Sequence, residues 1–183
     1  MKLRFVTAAI LACPPATIQA QACGVTPSTV ITDSGVGALT IGSTVAQVKQ
    51  RCRVVSDSVR PNYDSVEDER ALSVLVGTDT VIAWVPRDSV YSIDIASTFF
   101  RTRDSLGVGT TLKALLERRG VTAVTGEAST WANLPEHCAL NFILSYDGTG
   151  EDGQDYSATD LAAWPPNVFV TMIRIGPCYG PGS

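Results

Sequence analysis

The chain has one histidine, His137, and it stands beside Cys138. A Cys–His nucleophile pair needs a free thiolate near the imidazole in space, which adjacency along the chain does not supply. Cys138 belongs to a set of four, with Cys23, Cys52 and Cys178, that remains once the first 22 residues are set aside. Four cysteines in an exported chain imply two disulfides, with three pairings open. Cys138 opens an apolar strand and Cys178 follows the last one, which favours Cys138–Cys178 and leaves Cys23–Cys52. Paired cysteines supply neither a nucleophile nor a zinc ligand. No catalytic residue is therefore assigned.

Carboxylates are the next candidates. Asp147, Glu151, Asp152 and Asp155 lie in a polar, Gly-rich stretch whose hard oxygens at near-alternate positions suit calcium. The EF-hand register fails: with Asp147 first, the sixth position is Asp152 instead of Gly, and the twelfth is Ala158. A looser calcium loop stands against the default of a solvated acidic loop. Ile31-Thr32-Asp33-Ser34-Gly35 resembles the Asp-Ser-Gly signature of aspartic proteases, which need two carboxylates sharing a proton. The only echo, Asp147-Gly148-Thr149-Gly150, is scrambled. Gly107-Val108-Gly109-Thr110-Thr111 at a helix start suits an anion through backbone N–H groups, but it lacks the Gly-Lys-Ser/Thr of a phosphate loop. Trp84, Trp131 and Trp164 are candidates to line a ligand groove, with core packing as the plain alternative.

These residues must be positioned by a chain made for export. Lys2 and Arg4 precede an apolar run at residues 5–12, too short to span a bilayer, and Pro14-Pro15 break it. Residues 1–22 read as a signal peptide, cut after Ala20 or Ala22. A rival reading puts a lipid on Cys13, since Ile10-Leu11-Ala12-Cys13 resembles a lipobox. Removing the leader leaves 12 basic residues facing 18 acidic ones, which argues against nucleic acid as a partner. Residues 23–183 make one domain of ordinary size.

Within that domain two stretches look alike at a constant offset. Ile41-Gly42-Ser43-Thr44-Val45 leads into Val48 and Arg51; Val108-Gly109-Thr110-Thr111-Leu112 leads into Leu115 and Arg118. Each reads as a Gly turn, a hydroxyl N-cap at Ser43 or Thr110, and a short helix with apolar residues three apart. Strand-like runs follow each: 54–55, 72–76, 81–85 and 90–95, then 121–124, 138–144 and 168–175. Ile93 and Ile95 alternate with Ser92 and Asp94, as in a sheet with one covered and one wet face. The expected class is α+β: two tandem helix-plus-antiparallel-strand units, about 35–98 and 102–176, forming one compact domain with two disulfides. Residues 146–166 form a long insertion, with Ser157 capping a short helix before Pro165-Pro166.

The segment Phe99-Phe100-Arg101-Thr102-Arg103-Asp104-Ser105-Leu106 running on through Gly107-Val108-Gly109-Thr110-Thr111-Leu112 resembles a phrase of bacterial exported and envelope proteins without assigned activity. The tandem pattern over residues 35–176 is similar to β-lactamase-inhibitor-protein-like domains and to small outer-membrane assembly lipoproteins. The long acidic loop and the cysteine positions depart from the inhibitor-like pattern. The resemblance implies a periplasmic or secreted, non-enzymatic binding module acting on a protein partner as an inhibitor or envelope-assembly factor. It implies no cofactor, and membrane attachment only through a lipid on Cys13. The rivals are a hydrolase using Asp33 with the acidic loop, and a calcium-stabilised structural domain.

Overall fold

The computed structural model describes residues 23–24, 30–62, 67–126, 129–146 and 150–178. The leader, Cys13 and Asp147 lie outside them. The N-terminal part folds as a small antiparallel sheet of three two-residue strands, β1 (Ile31–Thr32), β2 (Gly35–Val36) and β3 (Leu39–Thr40). Helix α1 (Val45–Arg51) follows, then β4 (Arg53–Arg60), β5 (Glu69–Val76), β6 (Asp79–Trp84) and β7 (Ser92–Ile95). Next come α2 (Leu112–Leu116), β8 (Thr122–Thr125), β9 (Thr130–Asn133), a 3-10 turn at Pro135–His137 and β10 (Leu140–Leu144). The chain continues through β11 (Asp155–Tyr156), α3 (Ala158–Ala162) and β12 (Val170–Ile175).

Nine of these strands form one antiparallel sheet in the order β11-β8-β9-β10-β12-β7-β6-β5-β4. The expected α+β class of helix-plus-strand units is corrected by this sheet: strand accounts for 42% of the protein and helix for 14%, so the fold is mostly β. The strand runs do not close separately. The pairing of β7 with β12, Ile95 opposite Ile173 and Ile93 opposite Ile175, merges them into a single sheet. The helices are short for a physical reason. The apolar spacing Val45/Val48 and Leu112/Leu115 lasts a turn and is then overtaken by β-branched, extended sequence. Helices of seven and five residues are marginal alone and persist because they dock on the sheet.

Both helix entries use the same local geometry. Gly42 and Gly109 take φ +80° and +85°, a left-handed turn that a Cβ would strain. The N-caps lie one residue later than the sequence suggested. Thr44 accepts from Gln47 N–H in a capping box, and Thr111 accepts from Ala114 N–H. Ser43 instead meets Thr40 Oγ1 at 2.8 Å, and Thr110 Oγ1 accepts from Gly107 N–H at 2.9 Å. Gly109 N–H donates to the Val170 carbonyl at 2.7 Å, as Gly42 N–H does to Val90 at 2.8 Å. These turns spend their N–H groups on their own chain, so 107–111 is no anion cradle.

One face of the large sheet carries the core, with Leu72, Val74, Ala83, Ile93, Ile95, Ala132, Leu140, Phe142, Ile173 and Ile175 all buried. Val45, Val48, Leu112, Leu115 and Leu161 from the three helices belong to the same cluster. Because side chains alternate along a strand, the residues between these point to the opposite face. The functional reading rests on that face.

Candidate functional site

Register places one residue from each of six neighbouring strands in a row on the open face: Ile82 (β6), Asp94 (β7), Arg174 (β12), Asn141 (β10), Asn133 (β9) and Thr122 (β8). Opposed residues in such pairs stand ~5 Å apart, so the row is a continuous strip of side chains. Four of its members, Arg174, Asn141, Asn133 and Thr122, line a groove of about 1310 Å³ whose lining also includes Asn62, Glu69, Arg87, Tyr91, Ser92 and Trp131.

At the centre lies a buried ion pair. Arg174 Nε donates to Asp94 Oδ1 at 2.5 Å, and Arg174 Nη2 donates to Oδ2 at 2.7 Å. Trp84, two residues along β6 from Ile82, donates its indole N–H to Asp94 Oδ2 at 2.7 Å. Asp94 is only 7% exposed and Arg174 9%. The expected wet face is thus dry at its middle. The bidentate fork and the indole satisfy both carboxylate oxygens, which is what lets charges sit there. Burial pushes the Asp94 carboxyl up to about 6, against the lowering pull of the Trp84 N–H. Burial also pushes the Arg174 guanidinium down to about 10. The fork opposes both shifts, and the pair is ionised at neutral pH.

This has a sign that can be measured. The fold holds the Asp94 proton more tightly than the unfolded chain does, so this group adds stability in acid and loses that contribution as pH rises through about 6. Asp57 behaves oppositely. Hydrogen bonds from Arg70 and Lys49 hold its carboxyl well below the usual carboxylate range, so its contribution is lost as pH falls. Carboxyl-carbon NMR titration is expected to place the Asp94 midpoint near 6, with the Trp84 indole resonance following it. A midpoint in the ordinary range near ~4 contradicts the burial.

The structure separates the three tryptophans. Trp84 is buried under the groove and Trp131 lines it. Trp164 instead packs against the core in edge contacts with Tyr146 and Tyr156, at 4.9 and 5.0 Å between centroids. The disulfides are Cys23–Cys52 and Cys138–Cys178. Cys138 and Cys178 stand at one end of the groove, so the thiol beside His137 is consumed.

His137 does gather carboxylates. Its Nε2 is 3.1 Å from Asp104 Oδ1, its Nδ1 is 3.9 Å from Asp33 Oδ2, and Arg118 bonds Asp104 from the other side at 3.2 Å. Asp33 also accepts from Ala139 N–H at 3.3 Å. Hydroxyl and imidazole hydrogen bonds from Thr102 and His137 outweigh burial and lower the Asp104 carboxyl. Thr102 donates to Asp104 and not to the imidazole, so no nucleophile–base pair exists in this cluster. It clamps the small N-terminal sheet to the 3-10 turn.

Glu151, Asp152 and Asp155 are all exposed, in a loop tied to β8 by Gly153 N–H to Thr125 and by Thr125 N–H to Gln154. Among the described residues no three His, Cys, Asp or Glu side chains converge as a metal site. Nor does any hydrogen bond or ion pair between described residues join Asp33 to this loop. Asp94 and Arg174 were the residues sequence reasoning passed over. A charge at alternate positions of two apolar strands was visible in Ile93-Asp94-Ile95 and Ile173-Arg174-Ile175, but which strands are neighbours was not.

Among the described residues no helix is long and apolar enough to cross a membrane. The two disulfides point to a compartment outside the cytoplasm. No family model matches the chain, and no curated protein matches it. A crystal structure of the uncharacterized protein yfeY from Escherichia coli is similar in fold, with a TM-score of 0.56 and 15% identity over 81% of this chain and 100% of that one. At that identity the likeness is one of fold alone.

Proposed function

We propose that the protein is an exported, non-enzymatic binding module that receives an extended segment of a protein partner in the groove on the open sheet face. The groove carries the reading. Its lining runs from Glu69 on β5 to Thr122 on β8, six strand spacings, or roughly 29 Å at ~4.8 Å each. Its volume of about 1310 Å³ exceeds the ~300–1,000 Å³ that a small-molecule site uses. Eight or nine extended residues, at ~3.4 Å each, match that length. The carboxamides of Asn133 and Asn141 are suited to main-chain groups, and Trp131 and Tyr91 offer apolar ring surface. Export is supported by the leader-like residues 1–22 and the disulfides. A lipid on Cys13 would tether the same module to a membrane; roles as an inhibitor or an assembly factor both fit a module of this kind.

Panning a displayed nonapeptide library against the oxidised domain tests this, with counter-selection on Ser92→Trp, which fills the groove floor. Recovered peptides are expected to bind the parent domain in the micromolar range, and to shift the amide resonances of Asn133, Asn141 and Trp131. Binders that ignore Ser92→Trp and map elsewhere overturn the reading.

A further inference from the structure

We infer that Cys138–Cys178 is a thiol–disulfide exchange site on the groove wall: a dithiol reductant opens it while Cys23–Cys52 stays closed, and the opened wall grips the bound segment less tightly. The effect on grip rests on the groove being the binding site; the exchange chemistry stands apart from it.

The two disulfides stand in opposite surroundings. Cys23 and Cys52 are 0% and 1% exposed and belong to the core cluster. Cys138 and Cys178 are both exposed, and both line the groove. A disulfide is cleaved by a thiolate that reaches one of its sulfurs, so an exposed bond is open to attack in the folded protein. A buried one must wait for local unfolding. The first thiolate of the dithiol bonds to one sulfur of the pair, and the other cysteine leaves as a thiolate that takes up a proton. The second thiolate of the dithiol then attacks the reductant's own sulfur in the mixed disulfide and expels the remaining cysteine. The protein pair has gained two electrons, and the reductant, now itself a disulfide, has lost them.

The place of the bond couples it to the groove. Cys138 precedes β10 and Cys178 follows β12, the two middle strands of the row from Ile82 to Thr122. A segment lying across the strands passes this bond midway. The β10–β12 ladder runs from Leu144 opposite Val170 to Leu140 opposite Ile175, and Gly176 N–H then donates to the Ala139 carbonyl at 2.9 Å. Among the described residues that is the last backbone hydrogen bond on this stretch of chain. Pro177 has no N–H to give, so Cys178 is tied to the wall through its sulfur. Opening the bond leaves the ladder standing and frees Pro177 and Cys178, which both line the groove. Wall residues that must be ordered again on binding cost affinity, about tenfold for one or two of them.

The test treats the oxidised domain with dithiothreitol as a free dithiol and, in a parallel arm, with reduced thioredoxin as a protein dithiol, then traps thiols with iodoacetamide. Peptide mapping is expected to find alkylation at Cys138 and Cys178 and none at Cys23 and Cys52, with the circular dichroism of the fold unchanged. The arm that opens the bond identifies the kind of dithiol. A cysteine-free nonapeptide from the display selection is expected to bind the opened domain about tenfold more weakly than the oxidised one. Cys138→Ser with Cys178→Ser reproduces the opened wall without alkyl groups, and is expected to show the same loss and no response to reductant. Should that variant fail to fold, the trapped parent domain decides alone. Resistance in both arms, alkylation of all four cysteines together, or opening of Cys23–Cys52 first overturns the inference. So does equal affinity of the opened and closed forms, which leaves the groove reading intact. If no peptide binds the oxidised domain, the groove reading falls, and the order of alkylation still decides the exchange site.

Discussion

Replacing Arg174 by Met is expected to lower the unfolding free energy by about 3–5 kcal/mol at neutral pH. The reason is what stays behind. Asp94 is 7% exposed and would keep a carboxylate with only the Trp84 indole to solvate it. An uncompensated buried charge costs far more than the lost hydrogen bonds. Two controls make the cause visible. The double replacement Asp94→Leu with Arg174→Met removes both charges and is expected to return to within ~1–2 kcal/mol of the parent, because buried pairs are close to neutral against apolar neighbours of similar size. The penalty of the single variant is also expected to shrink in acid, where Asp94 takes up a proton and the uncompensated charge disappears. Urea titrations at neutral and acid pH measure all three. A single-variant loss under ~1 kcal/mol would mean that water reaches the pair.

The second large effect concerns the Cys23–Cys52 disulfide, which spans 29 positions and ties the N-terminal segment to the end of α1. Closing a loop of that length removes about 3–4 kcal/mol of unfolded-chain entropy. Both cysteines are buried, and Cys23 also accepts from Ala38 N–H, so their loss loosens the seating of the small sheet. Replacing both by Ala is expected to cost about 3–4 kcal/mol. Cys138–Cys178, spanning 40 positions, carries a comparable loop term. Reducing both bonds then removes about 7 kcal/mol, a large share of the ~5–15 kcal/mol that a domain possesses. The fully reduced protein is expected to lose its cooperative melting transition. A reduced form with an unchanged melting temperature would show that the loops are held by packing instead.

Much of the local structure was legible in residues 35–176. The positions of β5, β6, β7, β10 and β12 follow from short β-branched runs bounded by turn clusters such as Gly77-Thr78-Asp79-Thr80. The strand β9 was missed. Thr130-Trp131-Ala132-Asn133 has too few β-branched residues to stand out, and it is a strand because β8 and β10 hydrogen-bond it on both sides. The fold class went wrong at the helices, where three-apart apolar pairs promised a layer and one or two turns is all that forms.

The chain by itself therefore determined what depends on neighbours in sequence. Turn chemistry, hydroxyl caps within one residue, strand periodicity and the cysteine inventory all arise from contacts a few positions apart or from parity. Tertiary structure alone decided which strands lie side by side. Asp94 and Arg174 are 80 positions apart, and each looks like an ordinary surface charge on a half-wet strand. Pairing β7 with β12 sets them opposite one another, closes water out and turns two solvated charges into a buried ion pair at the edge of a groove. The register of long-range strand pairing is fixed by the whole sheet's hydrogen bonding and core packing, so no local pattern in either strand records it.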